Sequence, residues 1–160
     1  YSNMRIMSTL GIVSGSSGRG LAHFDMDGYA QVAQLMSPLL EQDNYGLVPK
    51  QAMTAPNLQR AWFTGKAKDE IALDFGQPMA WKDEMKRYIY LDDVAAPIST
   101  AAVLGHVITL KLTAPSSART ISYLAGRDWD GTPKHLLYGA NGIAAMTFCS
   151  VGIASGAAAE

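Results

Sequence analysis

The sequence predicts a mainly β protein, an antiparallel β-sandwich preceded by a short α/β segment of strand, loop and helix. Three observations carry this. From Leu58 onward, apolar residues recur with a period of two, in short runs separated by turn clusters, as strands with one buried face require. Between Tyr29 and Leu40 the apolar period is instead that of a helix. Between these regions lies QDNYGLVPKQAMTAP (42–56), which has no sustained period and carries Pro49 and Pro56, a composition that favours an extended connector. The chain accordingly divides into a strand-loop-helix segment at 1–45, a linker at 46–56, a sandwich at 57–153 and a flexible small-residue tail at 154–160.

In order, MRIMSTLGIV (4–13) reads as a strand that ends in an apolar run. SGSSGRG (14–20) is a loop. It has neither phosphate-loop spacing nor the G-x-S-x-G context of a nucleophilic serine, so Ser14, Ser16 and Ser17 read as linker residues. Asp27 is the expected N-cap of the helix, its carboxylate accepting from the free N–H groups of the first turn. Tyr29, Val32, Ala33, Met36, Leu39 and Leu40 share one face, and Pro38 is expected to kink or thin the last turn. One strand-loop-helix unit cannot cover both faces of its strand, so the first 45 residues read as the end of a domain whose beginning lies elsewhere. The strands follow: LQRAWFT (58–64), DEIALDF (69–75), PMAW (78–81), RYIYL (87–91), ISTAAVL (98–104), HVITLKL (106–112), RTISYL (119–124) and IAAMTFCSV (143–151). Residues 82–86 read as one helical turn, and Asp92-Asp93 as a turn between strands.

Composition bounds the function. With 160 residues, 48% hydrophobic and 17% charged, the chain suits one modest core rather than disorder. A net charge of −1 gives no signal for nucleic acid or an anionic membrane as partner. No apolar run reaches the roughly 18–20 residues that cross a bilayer. A single cysteine, Cys149, excludes an intramolecular disulfide, and its apolar surroundings predict a buried thiol. His106 and His135 each lack a second ligand at metal spacing, and Asp128-Trp129-Asp130-Gly131 lacks the downstream acids of a calcium loop. Neither a metal nor a cofactor is expected.

HFDMDGY (23–29), followed by an apolar helix, resembles the last block of SGNH/GDSL-type esterases, in particular the sialate O-acetylesterase-like branch. The resemblance covers about the first 45 residues, with His23, Gly28 and the helix from Tyr29 as the matching features. It implies a catalytic-base histidine at His23, an acetylated glycan or sialic-acid-type substrate, a secreted or periplasmic location, and a nucleophilic serine on an upstream esterase domain. One departure bears on the mechanism. That family places an aspartate three residues before the histidine, where this chain has Gly20, so the orienting acid is supplied from elsewhere, with Asp25 and Asp27 as local candidates, or is missing. From residue 72 on, the pattern ALDFGQPMAW, YLDD, VITLKLTAP, TISYL and NGIAAMTFC resembles the immunoglobulin-like β-sandwich appended to some bacterial secreted hydrolases. No motif in that part is catalytic.

His23 and Asp25 are therefore the catalytic candidates. The bland reading, a solvated loop histidine and a helix-capping acid, stands beside them. Trp62, Trp81 and Trp129, together with several tyrosines, either fill the core or stack sugar rings. Trp129, in a polar turn, and Trp81 are the candidate ligand contacts. Three functions remain open: the C-terminal portion of a carbohydrate O-acetylesterase, a non-catalytic carbohydrate-binding module, and a structural sandwich.

Overall fold

The computed structural model describes residues 7–12, 23–124 and 129–156, and shows a mainly β protein behind one long helix. The loop at 14–20, with its three serines, lies outside the described residues, as do Asp128 and the last four residues of the tail.

Helix α1 (Met26–Tyr45) starts earlier than the sequence implied. Asp25, not Asp27, is the N-cap; its Oδ1 accepts from the Gly28 N–H at 2.7 Å. With an acid at both positions, starting the helix at Met26 uses both. Asp25 takes a free N–H, and Asp27 sits in the first turn, where the helix dipole favours negative charge. Pro38 lies inside α1, which continues to Tyr45 and ends on Gly46 in the left-handed region (φ 66). The N–H groups of Gly46 and Leu47 reach back to Gln42 and Glu41 and close the helix. Residues 42–45 of the predicted connector are therefore helical. The predicted strand at 4–13 is not extended where it is described: residues 10 and 11 form a turn with Gly11 at φ 86.

The remaining elements are β1 (Arg60–Phe63), β2 (Glu70–Asp74), β3 (Met79–Ala80), β4 (Ile89–Leu91), β5 (Val94–Ala95), β6 (Ile98–Leu104), β7 (Val107–Leu112), β8 (Thr120–Tyr123), β9 (Tyr138–Gly139) and β10 (Phe148–Ser155). Residues 83–88 form a 3-10 helix before β4, where one helical turn was expected. Among the described residues, eight strands make one sheet in the order β5-β4-β8-β10-β1-β2-β7-β6, and β3 pairs with β9 separately. All pairs are antiparallel except β1 with β10, which run parallel with Ala61 opposite Ile153.

The sheet curls so that its two halves share one core. Ile71 and Leu73 of β2 and Ile108 and Leu110 of β7 come from one half, and Ile89 of β4 and Ile121 of β8 from the other; all are fully buried in a single cluster. The alternation in β7 is complete, with Ile108, Leu110 and Leu112 inside and Val107, Thr109 and Lys111 half-buried on the other face. Tyr123 is the largest fully buried side chain, and its hydroxyl accepts from the Leu137 N–H at 2.9 Å. Burial also pushes its phenol well above the ordinary tyrosine range.

Two hairpin turns follow local chemistry. Asp92 and Asp93, both at positive φ (44 and 65), form the two-residue turn between β4 and β5. The Asp92 carboxylate accepts from the N–H groups of Arg119 and Thr120 and from the Thr120 hydroxyl, fastening this hairpin to the start of β8. Gly105, at φ 58, opens the turn between β6 and β7.

The last strand differs most from its prediction. It covers residues 148–155 rather than 143–151, taking in part of the segment expected to be a flexible tail. Its register shifts between Phe148 and Val151, with Ser150 at φ 51 and its N–H donated to the Ser122 hydroxyl at 2.9 Å. This bulge leaves Phe148 buried and turns Cys149 out, so the thiol expected in the core is exposed.

Candidate functional site

His23 lies two residues ahead of the N-cap of α1 and is exposed. Among the described residues it forms no hydrogen bond or ion pair, and Asp25 beside it is engaged with the Gly28 N–H. The Phe24 and Tyr29 rings pack edge to face, 5.8 Å between centroids, and hold the loop against the first turn.

The helix itself carries a broad apolar face. At 100° per residue, Leu35, Gly28, Leu39, Val32, Met36, Tyr29, Leu40, Ala33 and Met26 sweep half the helix circumference in that order. Gly28 and Leu39 at one side of this face are buried. The other side is open: Met36 is 42% exposed, Tyr29 50%, Leu40 53% and Met26 83%. The face that the sequence assigned to a core is therefore covered on one flank alone.

A cavity of about 1090 Å³ lies between α1, the connector and the loop after β9. Gln31, Leu35 and Glu41 of the helix, Lys50 and Met53 of the connector, and Tyr138 of β9 contribute to its wall. Asn141 secures the connector side. Its Nδ2 donates to the carbonyls of Ala52 and Thr54, and its Oδ1 accepts from the Ile143 N–H. Gly139 permits this closeness, since a Cβ there would run into Asn141 Oδ1 and come within 2.8 Å of Pro56. His23 is not among the residues of this wall.

Trp129 and Trp81, the candidate ligand contacts, are half-buried and pack against the core cluster. The Trp129 indole N–H donates to the Thr132 carbonyl at 3.1 Å. The next residue anchors the turn. Asp130 accepts from the Thr132 N–H at 2.9 Å, faces His135 Nδ1 at 3.0 Å and Arg87 Nε at 3.3 Å, and its own N–H donates to the Tyr88 hydroxyl. Partial burial opposes ionisation of this carboxyl, but the Thr132, Tyr88 and His135 hydrogen bonds outweigh it and hold its pKa down to about 2. His23 and Asp25 thus lie two residues apart ahead of α1 with no hydrogen bond or ion pair between them, and both tryptophans are set into the β domain.

A second polar group was not singled out by the sequence. Asp74, buried on the outer face of β2, pairs with Arg60 Nε at 3.0 Å, accepts from the Gly76 N–H at 2.9 Å and has His106 Nε2 at 3.7 Å. Its burial raises the pKa and these three partners more than reverse the effect, leaving the carboxyl below its ordinary value. The signal was present in LQRAWFT: alternation that sends Ala61 and Phe63 inward sends Arg60 and Trp62 outward. Among the described residues no group of three or more histidine, cysteine, aspartate or glutamate side chains is placed to hold a metal ion, and no helix is long and apolar enough to cross a membrane.

No protein-family model and no curated protein matches the chain. Among solved structures, it is similar to the crystal structure of a carbohydrate acetylesterase from Xanthomonas citri, with a TM-score of 0.51 and 18% sequence identity. The match covers 76% of this chain and 27% of that one, so this chain corresponds to about a quarter of the length of its structural neighbour. At that identity the likeness shows a shared fold.

Proposed function

We propose that this chain is the C-terminal portion of a secreted carbohydrate O-acetylesterase of SGNH type. In this reading His23 is the catalytic base, Asp25 its candidate orienting acid, and the β domain an accessory unit of immunoglobulin-like class. The observation that carries the proposal is the half-covered apolar face of α1. A helix with so broad an apolar face, interrupted by Asp43 near its C-terminal end, needs a second packing partner, and in this reading an upstream esterase domain supplies one. The fold shared with a carbohydrate acetylesterase agrees in substrate class. For the β domain, support comes from the strand order. β5-β4-β8-β10 and β1-β2-β7-β6 face each other across one core, and the first strand of the domain runs parallel to its last.

The chemistry is acyl transfer. A serine oxygen on the upstream domain attacks the acetyl carbonyl while His23 takes its proton. The proton then goes to the departing sugar oxygen, and water repeats the sequence to release acetate. An exposed imidazole ahead of a capped helix is accessible to such a partner. The test is hydrolysis of an aryl acetate and of an acetylated oligosaccharide by the full gene product and its His23→Ala variant. Loss of a base of this kind lowers kcat by about 10²–10⁴-fold, and an unchanged rate in the variant removes His23 from the mechanism.

A further inference from the structure

Trp81 and Trp129 pack against the core cluster of the described residues, whereas Trp62 does not. Its neighbours in sequence, Ala61 and Phe63, are buried at 3% and 2%, which fixes the indole on the outer face of the sheet, where it is half-buried. What surrounds it there is small. The register places Ala154 of β10 on one side of Trp62 and Ala72 of β2 on the other, followed by Thr109 of β7 and Ala102 of β6. The result is one aromatic ring in an otherwise flat row running across five strands.

The rows on either side are lined with hydrogen-bonding groups. On one flank Arg60 pairs with Asp74, and its guanidinium carbon lies 5.0 Å from the Trp62 ring centroid, which fixes the orientation of the indole. On the other flank Lys111 Nζ pairs with Asp69 at 2.8 Å and Glu70 at 3.3 Å, and Glu70 also accepts from the Thr64 hydroxyl. Arg60 is matched by Asp74, whereas Lys111 faces the two carboxylates of Asp69 and Glu70, so these groups leave a small negative excess that disfavours an anionic ligand. The face presents a half-buried indole, with Arg60 over one of its two faces, between rows of donors and acceptors of which Arg60, Lys111 and Glu70 remain open to solvent.

We propose that the outer face of β1, β2 and β7, centred on Trp62, binds a neutral glycan, stacking the C–H face of a pyranose ring on the indole face opposite Arg60 and hydrogen-bonding its hydroxyls through Arg60, Glu70 and Lys111. A sugar ring has an apolar C–H face and a rim of hydroxyls, and this surface presents the complementary arrangement. The platform rests on the carbohydrate reading above for its ligand class, but not on His23. It gives the β domain a role in holding the polymer, apart from any ester chemistry.

The test is calorimetric titration of the 160-residue chain with xylohexaose, cellohexaose and mannohexaose. At least one hexasaccharide should bind below millimolar. Trp62→Ala should weaken it tenfold or more, while Trp62→Tyr, which keeps a stacking ring, and Val94→Ser, on an exposed edge strand, stay within threefold. Thermal melting of Trp62→Ala near the wild-type midpoint confirms that the fold is intact, and should that variant misfold, Lys111→Met carries the same expectation of weakened binding. Three outcomes overturn the proposal: no binding of any hexasaccharide at millimolar concentration, binding unaffected by Trp62→Ala, or tighter binding of an anionic sugar such as sialyllactose. Binding that survives Trp62→Ala but is lost in Trp129→Phe removes the platform and leaves carbohydrate recognition standing. Acetate release is measured separately, so failure here and failure of the esterase reading are told apart.

Discussion

Removing one oxygen from the centre of the β domain gives a quantitative test of how its core is built. Tyr123 on β8 is fully buried against Phe148, with ring centroids 5.6 Å apart, and its hydroxyl is the acceptor for the Leu137 N–H. Leu137 is itself fully buried, so water cannot take over the bond. Tyr123→Phe keeps the ring and its packing but leaves an amide donor unpaired in an apolar core. That costs about 1–3 kcal/mol. For a chain of this size, such a loss lowers the melting midpoint by roughly 2–12 °C. Urea unfolding followed by intrinsic fluorescence is the assay, with the denaturant slope unchanged so that the difference is one of stability. A variant within 0.5 kcal/mol of wild type, an interval of about the ordinary scatter, would refute the reasoning, because it would mean that the Leu137 amide finds another partner or is not sealed from solvent.

Two further predictions bear on the candidate site and on pH. Asp25→Ala should lower helix stability by about 1 kcal/mol, read by far-UV circular dichroism, whereas Asp25→Asn should preserve the cap; if Asp25 also orients His23, the Asn variant of the full gene product will be folded but impaired in acetate release, and full activity would reduce Asp25 to a cap. Because the Asp130 carboxyl is depressed to about 2, below its unfolded value of about 3.9, its contribution to stability is complete above pH ~4 and is lost as the pH falls toward 2. Melting midpoints measured across that window should fall less steeply in Asp130→Asn than in wild type, and parallel curves would show that the Thr132, Tyr88 and His135 contacts do not favour the ionised form.

The middle of the domain was legible because its signals are local. DEIALDF and HVITLKL each alternate so strictly that β2 and β7 follow from period alone, and the Asp92-Asp93 turn follows from its composition. What was missed depends on distant partners. IAAMTFCSV looked like a strand because it is apolar. Yet Ala144 and Ala145 are buried as a covering segment, and the strand instead runs from Phe148 through GIAS, which becomes extended by pairing with β1 almost a hundred residues earlier. The exposure of Cys149 follows from a bulge that hydrophobicity does not encode. At the helix, the spacing sets six apolar residues on one side as if for a core, but Tyr29, Ala33, Met36 and Leu40 are exposed and of the six Leu39 alone is buried, which nothing local tells. His23 and Asp25 are candidates through a family resemblance, whereas Trp62, named in the sequence only among the aromatics, gains its charged flanks when register sets them side by side.

The position of β10 bears on how the domain is made. It is bonded on one side to β8 and on the other to β1, and without it the other seven strands of the eight-stranded sheet fall into two unconnected groups. During synthesis, β1, β2, β6 and β7 can zip together early, as can β4, β5 and β8, but neither group gains the other through backbone bonds until the closing strand has left the ribosome. Completion therefore depends on a contact of very long sequence separation, which slows folding and prolongs the exposure of both open edges.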